Sequence, residues 1–222
     1  MNTERVKLLI FDLDGTLADT IFAIAAGMNL ALREMGLPER TVEHVRSSIG
    51  DGARMLCRRM LPEKLFSDDE LTDRLLVTYH RTYGETYLDT RENYPGISDA
   101  VRELKRRGYL LAVLSNKQDP YVKNLIAGLF PDGEFSLAFG DKTGRPRKPD
   151  PTGATELCSA LGIPASQAVM IGDGETDVRV AAAAGLAGCV TVSWGYRPMD
   201  KLLEAGADTV IDSADELLDI FK

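Results

Sequence analysis

Cysteine is scarce, histidine scarcer, and long apolar runs are missing, and each shortage weighs against a class of protein. The three cysteines, Cys57, Cys158 and Cys189, are far apart and odd in number, which speaks against a disulfide framework or a thiol-based zinc site. Reduced thiols packed as small hydrophobes are expected instead. The two histidines, His44 and His80, stand alone and read as ordinary surface or cap residues. No stretch approaches the roughly 20 apolar residues of a membrane span. The polar opening residues 1–7 and the short apolar run after them do not make a signal peptide, so a cytoplasmic chain with no membrane partner is expected. Positive charge is in deficit: 26 Lys and Arg face 34 Asp and Glu, for a net charge of −8. That balance argues against a general nucleic-acid or anionic-membrane binder. Internal repeats and low-complexity tracts are also lacking. With 222 residues, 44% of them hydrophobic, the chain can bury the core of one domain, or of one domain plus an insertion.

What is present begins at residues 8–11, Leu-Leu-Ile-Phe, a fully apolar run of the kind found in a central strand covered on both faces. Beyond Asp19 the period becomes helical: Ile21, Ile24, Ala25, Met28, Leu32 and Met35 form one stripe that stops near Gly36. Further helices are predicted over 42–49, 53–61 and 69–88, the last started by Ser67-Asp68-Asp69. From Tyr94 onward strands and helices alternate. Strands are predicted at 109–114, 135–139, 168–171, 188–192 and 209–211, with helices at 120–129, 152–161, 176–184 and 214–221. Alternation of this kind builds a parallel sheet with helices on both faces. The first strand needs the same covering layers, so the helical block reads as an insertion. The expected division is an α/β core of 1–18 and 92–222 with a helical cap of 19–91. The segment 140–151 is the one long irregular loop.

Parallel strands deliver their carboxyl ends to one edge, where open α/β sheets place ligands. The first strand brings Asp12 and Asp14 there; as side chains two apart on a straight strand they would share a face. Two anions in one small volume require a cation, a shared proton or basic neighbours. The strand ending at Leu114 brings Ser115, Asn116 and Lys117, the irregular loop offers Lys148, and the strand through Ile171 brings Gly172, Asp173, Glu175 and Asp177. Oxygen ligands without histidine or cysteine, beside a pocket suited to phosphate, point to magnesium rather than zinc. Ser115-Asn116 also reads as a helix cap, a role compatible with phosphate binding at a helix start. On its own, Lys148 would be a solvated member of a basic loop. Two other motifs fail on spacing: a calcium loop would need glycine where Leu17 stands, and a dinucleotide fingerprint would need its third glycine where Asp177 stands.

Taken together, Asp12-Leu13-Asp14-Gly15-Thr16, Ser115-Asn116-Lys117, Lys148-Pro149-Asp150-Pro151 and Gly172-Asp173-Gly174-Glu175-Thr176-Asp177 resemble the haloacid-dehalogenase-like phosphohydrolases. Within them the likeness is to the helical-cap branch and its phosphoglycolate-phosphatase-like members. The motifs run in the family's order across nearly the whole chain. One departure is Gly174-Glu175, where many relatives place a serine or threonine.

The resemblance implies that Asp12 is a nucleophile forming an aspartyl-phosphate, and that Asp14 is the acid and base for leaving group and water. It implies Mg2+ held by Asp12, Asp173 and the backbone carbonyl of Asp14. Lys148, Ser115 and the backbone amide of Asn116 would bind the phosphate, Thr16 would brace the loop, and Asp177 would orient Lys148 or a water on the metal. The partner would be a small phosphorylated metabolite, with Arg54 in the cap a candidate for a substrate carboxylate. Linkers at 17–19 and 91–95 would let the cap hinge. Alternatives of the same family are a sugar-phosphate mutase and an inorganic pyrophosphatase; from another class, a receiver-type phospho-acceptor domain. Neither the substrate nor the oligomeric state is fixed by the sequence.

Overall fold

A computed structural model describes residues 3–89, 92–207 and 209–222. It divides into two compact units: residues up to Ala18 together with Asn93–Lys222, and Asp19–Glu92. The predicted return linker starts at Arg91, which lies outside the described residues.

The first unit is built on a six-stranded sheet in the order β5-β4-β1-β6-β7-β8. Its strands are β1 (Leu8–Phe11), β4 (Leu110–Gln118), β5 (Leu137–Asp141), β6 (Ala168–Gly172), β7 (Gly188–Val192) and β8 (Thr209–Ile211). All their pairings are parallel, as the alternating pattern requires. Leu8 through Phe11 are completely buried, because β1 lies between β4, with Leu8 opposite Leu110, and β6, with Leu8 opposite Ala168. Leu8 and Ile10 join Leu114, Leu157, Met170 and Val180 in one core layer. Phe11 points to the other face, edge-on to Phe135 at 5.8 Å between ring centroids. A strand covered on both faces has no wet side for a polar side chain, and the first one, Asp12, comes just past its carboxyl end.

The helices of this unit are α5 (Ile97–Arg106), α6 (Asp119–Leu129), α7 (Thr152–Leu161), α8 (Glu175–Ala183), α9 (Met199–Glu204) and α10 (Asp215–Ile220). Helix α5 is absent from the sequence reading, although Ile97, Ala100, Val101 and Leu104 form a buried stripe at helical spacing. Strand β4 runs four residues past its predicted end, to Gln118, with a register irregularity after Leu114. Ser115 and Asn116 therefore do not cap α6: the cap position is Gln118.

The second unit holds α1 (Ile21–Glu34), α2 (Val42–Ser48), α3 (Ala53–Met60) and α4 (Asp69–Thr86). Asp68 caps α4 by accepting from Leu71 N–H at 2.8 Å. Helices α1 and α4 meet backbone to backbone at Gly27, where a Cβ would stand 2.9 Å from Tyr83 Cα; Thr82 Oγ1 donates to Gly27 O at 2.7 Å across the seam. Short strands β2 (Ala18–Asp19) and β3 (Glu92–Asn93) pair where the chain passes between units. All three cysteines are buried, and burial pushes the Cys57 thiol up to about 12. Among the described residues, no helix is long and apolar enough to cross a membrane.

Candidate active site

At the carboxyl end of β1 the chain bends away at once. Thr16, Leu17 and Ala18 all donate backbone N–H groups to Leu13 O, and Gly15 sits at φ 83°, a left-handed conformation that glycine adopts without a Cβ clash. The bend changes the predicted relation of the two acids. Asp12 and Asp14 do not project side by side from a straight strand, because β1 ends at Phe11. Each instead has its own lysine: Lys148 Nζ lies 3.0 Å from Asp12 Oδ1, and Lys117 Nζ donates to Asp14 Oδ1 at 2.8 Å and Oδ2 at 3.0 Å.

Lys148 is not the solvated loop lysine that its basic neighbourhood suggests; it is 4% exposed. The loop is pinned from several directions. Asn116 clamps its backbone, donating from Nδ2 to Lys148 O at 3.0 Å and accepting Lys148 N–H on Oδ1 at 2.8 Å. Arg145 is buried with its guanidinium 3.7 Å from the centre of the Phe139 ring and paired to Glu156 at 2.8 Å, and Arg147 pairs with Asp141 at 2.7 Å. From that platform the Lys148 ammonium donates to Asp177 Oδ1 at 2.7 Å. Burial opposes its charge, but Asp12 and Asp177 more than compensate and hold its pKa above the ordinary lysine range.

Beyond β6, Asp173 and Asp177 are 4% and 1% exposed. Asp177 accepts Gly174 N–H on Oδ2 at 3.0 Å in the first turn of α8, a helix start that favours negative charge. Asp173 is held from both sides, accepting Thr16 Oγ1–H on Oδ1 at 3.2 Å and Tyr196 N–H on Oδ2 at 2.7 Å. Burial, then the charges of Asp12 and Asp177, push the Asp173 carboxyl up to about 8. Asp12 rises to about 6, mainly by burial, although Lys148 opposes the rise.

Asp12, Asp173 and Asp177 each offer an oxygen within 4.8 Å of the others', and a single ammonium, Lys148, is shared by Asp12 and Asp177. Three carboxyl groups, Asp173 and Asp177 buried and Asp12 partly so, outnumber the one lysine they surround, an excess of negative charge with little water to screen it. An all-oxygen donor set with that excess fits a hard divalent cation. Ser115 lies buried within β4, just past Leu114 where the register shifts, and its Oγ accepts Lys117 N–H at 3.4 Å. Arg54 belongs to the helical unit, where it pairs with Asp73 at 2.6 Å and Asp69 at 2.8 Å.

Two contributors went unrecognised in the sequence. Residue order places Lys117 only near a strand end, and the loop after β7 holds none of the sequence motifs. That loop supplies Tyr196 N–H, and its Gly195 lies so close to Asp173 that any Cβ would overlap the carboxylate side chain. A glycine-aromatic pair after a strand was the available signal, but a backbone amide leaves no signature in residue type.

The family profile described as haloacid dehalogenase-like hydrolase matches residues 9–191, and the chain belongs to that family of α/β hydrolases acting on phosphate esters. It is 35% identical over 215 residues to the phosphoglycolate phosphatase of Pseudomonas savastanoi pv. phaseolicola, covering 96% of this chain and 78% of that one. To the phosphoglycolate phosphatase of Aliivibrio fischeri it is 31% identical over 223 residues, 99% of this chain and 98% of the other. The crystal structure of a predicted phosphoglycolate phosphatase from Haemophilus somnus superposes with a TM-score of 0.89 at 27% identity, over 100% of both chains. Family membership removes the receiver-domain alternative.

Proposed function

We propose that this enzyme is a magnesium-dependent phosphatase that hydrolyses phosphoglycolate, or a monoester close to it, through an aspartyl-phosphate on Asp12. The observation that carries the reading is the Lys148 ammonium lodged between Asp12 and Asp177 with Asp173 beside them at the sheet edge. The substrate follows from the relatives, which are named for that activity over almost the full length of this chain.

In this reading Asp12 attacks phosphorus with one carboxylate oxygen. A new P–O bond forms as the bond to the leaving oxygen breaks, and water later cleaves the acyl phosphate. Lys148 and Ser115 draw the equatorial oxygens and their charge toward fixed donors, joined by the Asn116 amide. The Asn116 side chain acts one step back, by fixing Lys148. Asp14 takes a proton from the hydrolytic water and passes it to the leaving oxygen of the next substrate, so its proton cycles, and Lys117 orients the deprotonated form through both oxygens. Thr16 braces Asp173, and Asp177 fixes the Lys148 ammonium. The carboxylates of Asp12 and Asp173, with the backbone carbonyl of Asp14, would hold Mg2+, which supplies charge neutralisation between two anions and fixes the phosphate for in-line attack.

Phosphate release from phosphoglycolate, measured with magnesium and with excess chelator, tests the proposal. Asp12→Asn is expected to lower kcat by more than about 10⁴-fold while leaving the unfolding transition cooperative. Retained turnover in that variant would refute the mechanism. A mutase would instead move the phosphoryl group with little net release.

A further inference from the structure

The loop at 193–198 reaches Asp173 both directly and by way of Thr16. Tyr196 N–H donates to Asp173 Oδ2 at 2.7 Å. Gly195 abuts the same side chain. Trp194 Nε1–H donates to Thr16 O at 3.2 Å, and Thr16 in turn donates to Asp173 Oδ1. A charged tether joins this loop to the start of α8: Arg197 Nε lies 3.0 Å from Glu175 Oε2, with side-chain exposures of 18% and 20%. The contact is electrostatic, since the Nε–H is not aimed at the oxygen. Glu175 opens α8 two residues after Asp173, and the mechanism above gives it nothing to do. Left alone, its charge would add to that of three nearby carboxylates. Paired, it anchors the loop that touches Asp173.

We infer that the Glu175–Arg197 ion pair is a latch: it holds the 193–198 loop against Asp173 and so positions that carboxylate for the divalent cation. Glu175 and Arg197 are positioning residues, because neither side chain need touch substrate or metal. The inference rests on the magnesium site proposed above.

Simple charge effects and a latch predict different signs. Removing Arg197 takes away a positive charge near a cation site and, by Coulomb attraction alone, would tighten magnesium binding; removing Glu175 would loosen it. A latch loosens binding in both cases, because either loss frees the loop. Trp194 is the only tryptophan, so its fluorescence reports this loop alone.

The test compares the full-length protein with Glu175→Gln, Arg197→Gln and the double variant in two measurements. The first is acrylamide quenching of Trp194 in chelator. The second is the magnesium concentration giving half of the rise in Tm. Both single variants are expected to quench more readily than wild type and to need about tenfold more magnesium, the low end for residues that orient a ligand from outside. The double variant is expected to be no worse than either single one, since one interaction is lost only once. The latch is overturned if Arg197→Gln binds magnesium as well as wild type or better, if quenching does not change, or if the two effects add. A wild-type protein whose Tm ignores magnesium would defeat the proposed function instead, and the quenching cycle would still decide whether the pair holds the loop.

Discussion

Gly195 shows how a single missing methyl group can govern a site. Its Cα touches the Asp173 side chain so closely that a Cβ would overlap the carboxylate carbon, and the neighbouring peptide N–H is the donor to Oδ2. Gly195→Ala is therefore expected to displace the carboxylate. Phosphate release should fall about 10- to 100-fold, the range for groups that orient metal ligands, and urea unfolding should show a loss of about 1–3 kcal/mol from overpacking. At this scale the sequence was legible wherever chemistry and position coincide. Asp12 and Asp173 stand out in the sequence as acids following apolar strands, whereas Lys148 is singled out only by the motifs around it; the structure brings Lys148 to 3.0 Å from Asp12 and oxygens of Asp12 and Asp173 within 4.8 Å of each other. The partner of Asp14 was not foreseen: from residue order alone, Lys117 can face either side of a strand end. Asn116 was read as an amide donor, yet its side chain holds the Lys148 backbone from both sides, a contact 32 residues away in sequence.

Among the elements, those with one strong period were read correctly, and those defined by their neighbours were not. β7, β8 and α7 carry the expected limits, since apolar runs and turn residues bound them. β4 outran its apolar stretch because β5 continues to pair with it as far as Gln118, opposite Asp141. Helix α5 was missed because charged residues dilute its apolar stripe, which becomes obvious only when buried. In the helical unit, the α1–α4 seam depends on Gly27, which lets the two backbones approach and receives the Thr82 hydroxyl on its carbonyl. Gly27→Val is expected to force the helices apart at a cost of about 1–3 kcal/mol. Thermal unfolding followed by circular dichroism would show this as a lowered Tm. Because Gly27 lies in the seam of the helical unit and is not among the residues proposed to hold the metal, the magnesium midpoint of the folded variant should stay at the wild-type value.

For the molecule as a whole, net charge argued only about partners, while the fold followed from the order of strands and helices. In the proposed reading the clustered acids bind magnesium only in the folded state, so magnesium should stabilise the native form by mass action. At about 100 times its dissociation constant the gain is roughly 2.7 kcal/mol. A calorimetric scan should show Tm climbing with magnesium and falling back when chelator is added. Invariance of Tm would contradict the site.

The topology also has a consequence during biosynthesis. β1 leaves the ribosome before either of its sheet neighbours, since it lies between β4 and β6, whose residues follow Asp19–Glu92. A wholly apolar tetrapeptide must therefore wait without either neighbour while the four-helix segment emerges and gains its own contacts, a delay that long-range pairing imposes on the nascent chain. Until β4 and β6 are made, those four residues are apolar surface without a partner, the kind that makes a nascent chain prone to aggregate unless it is covered.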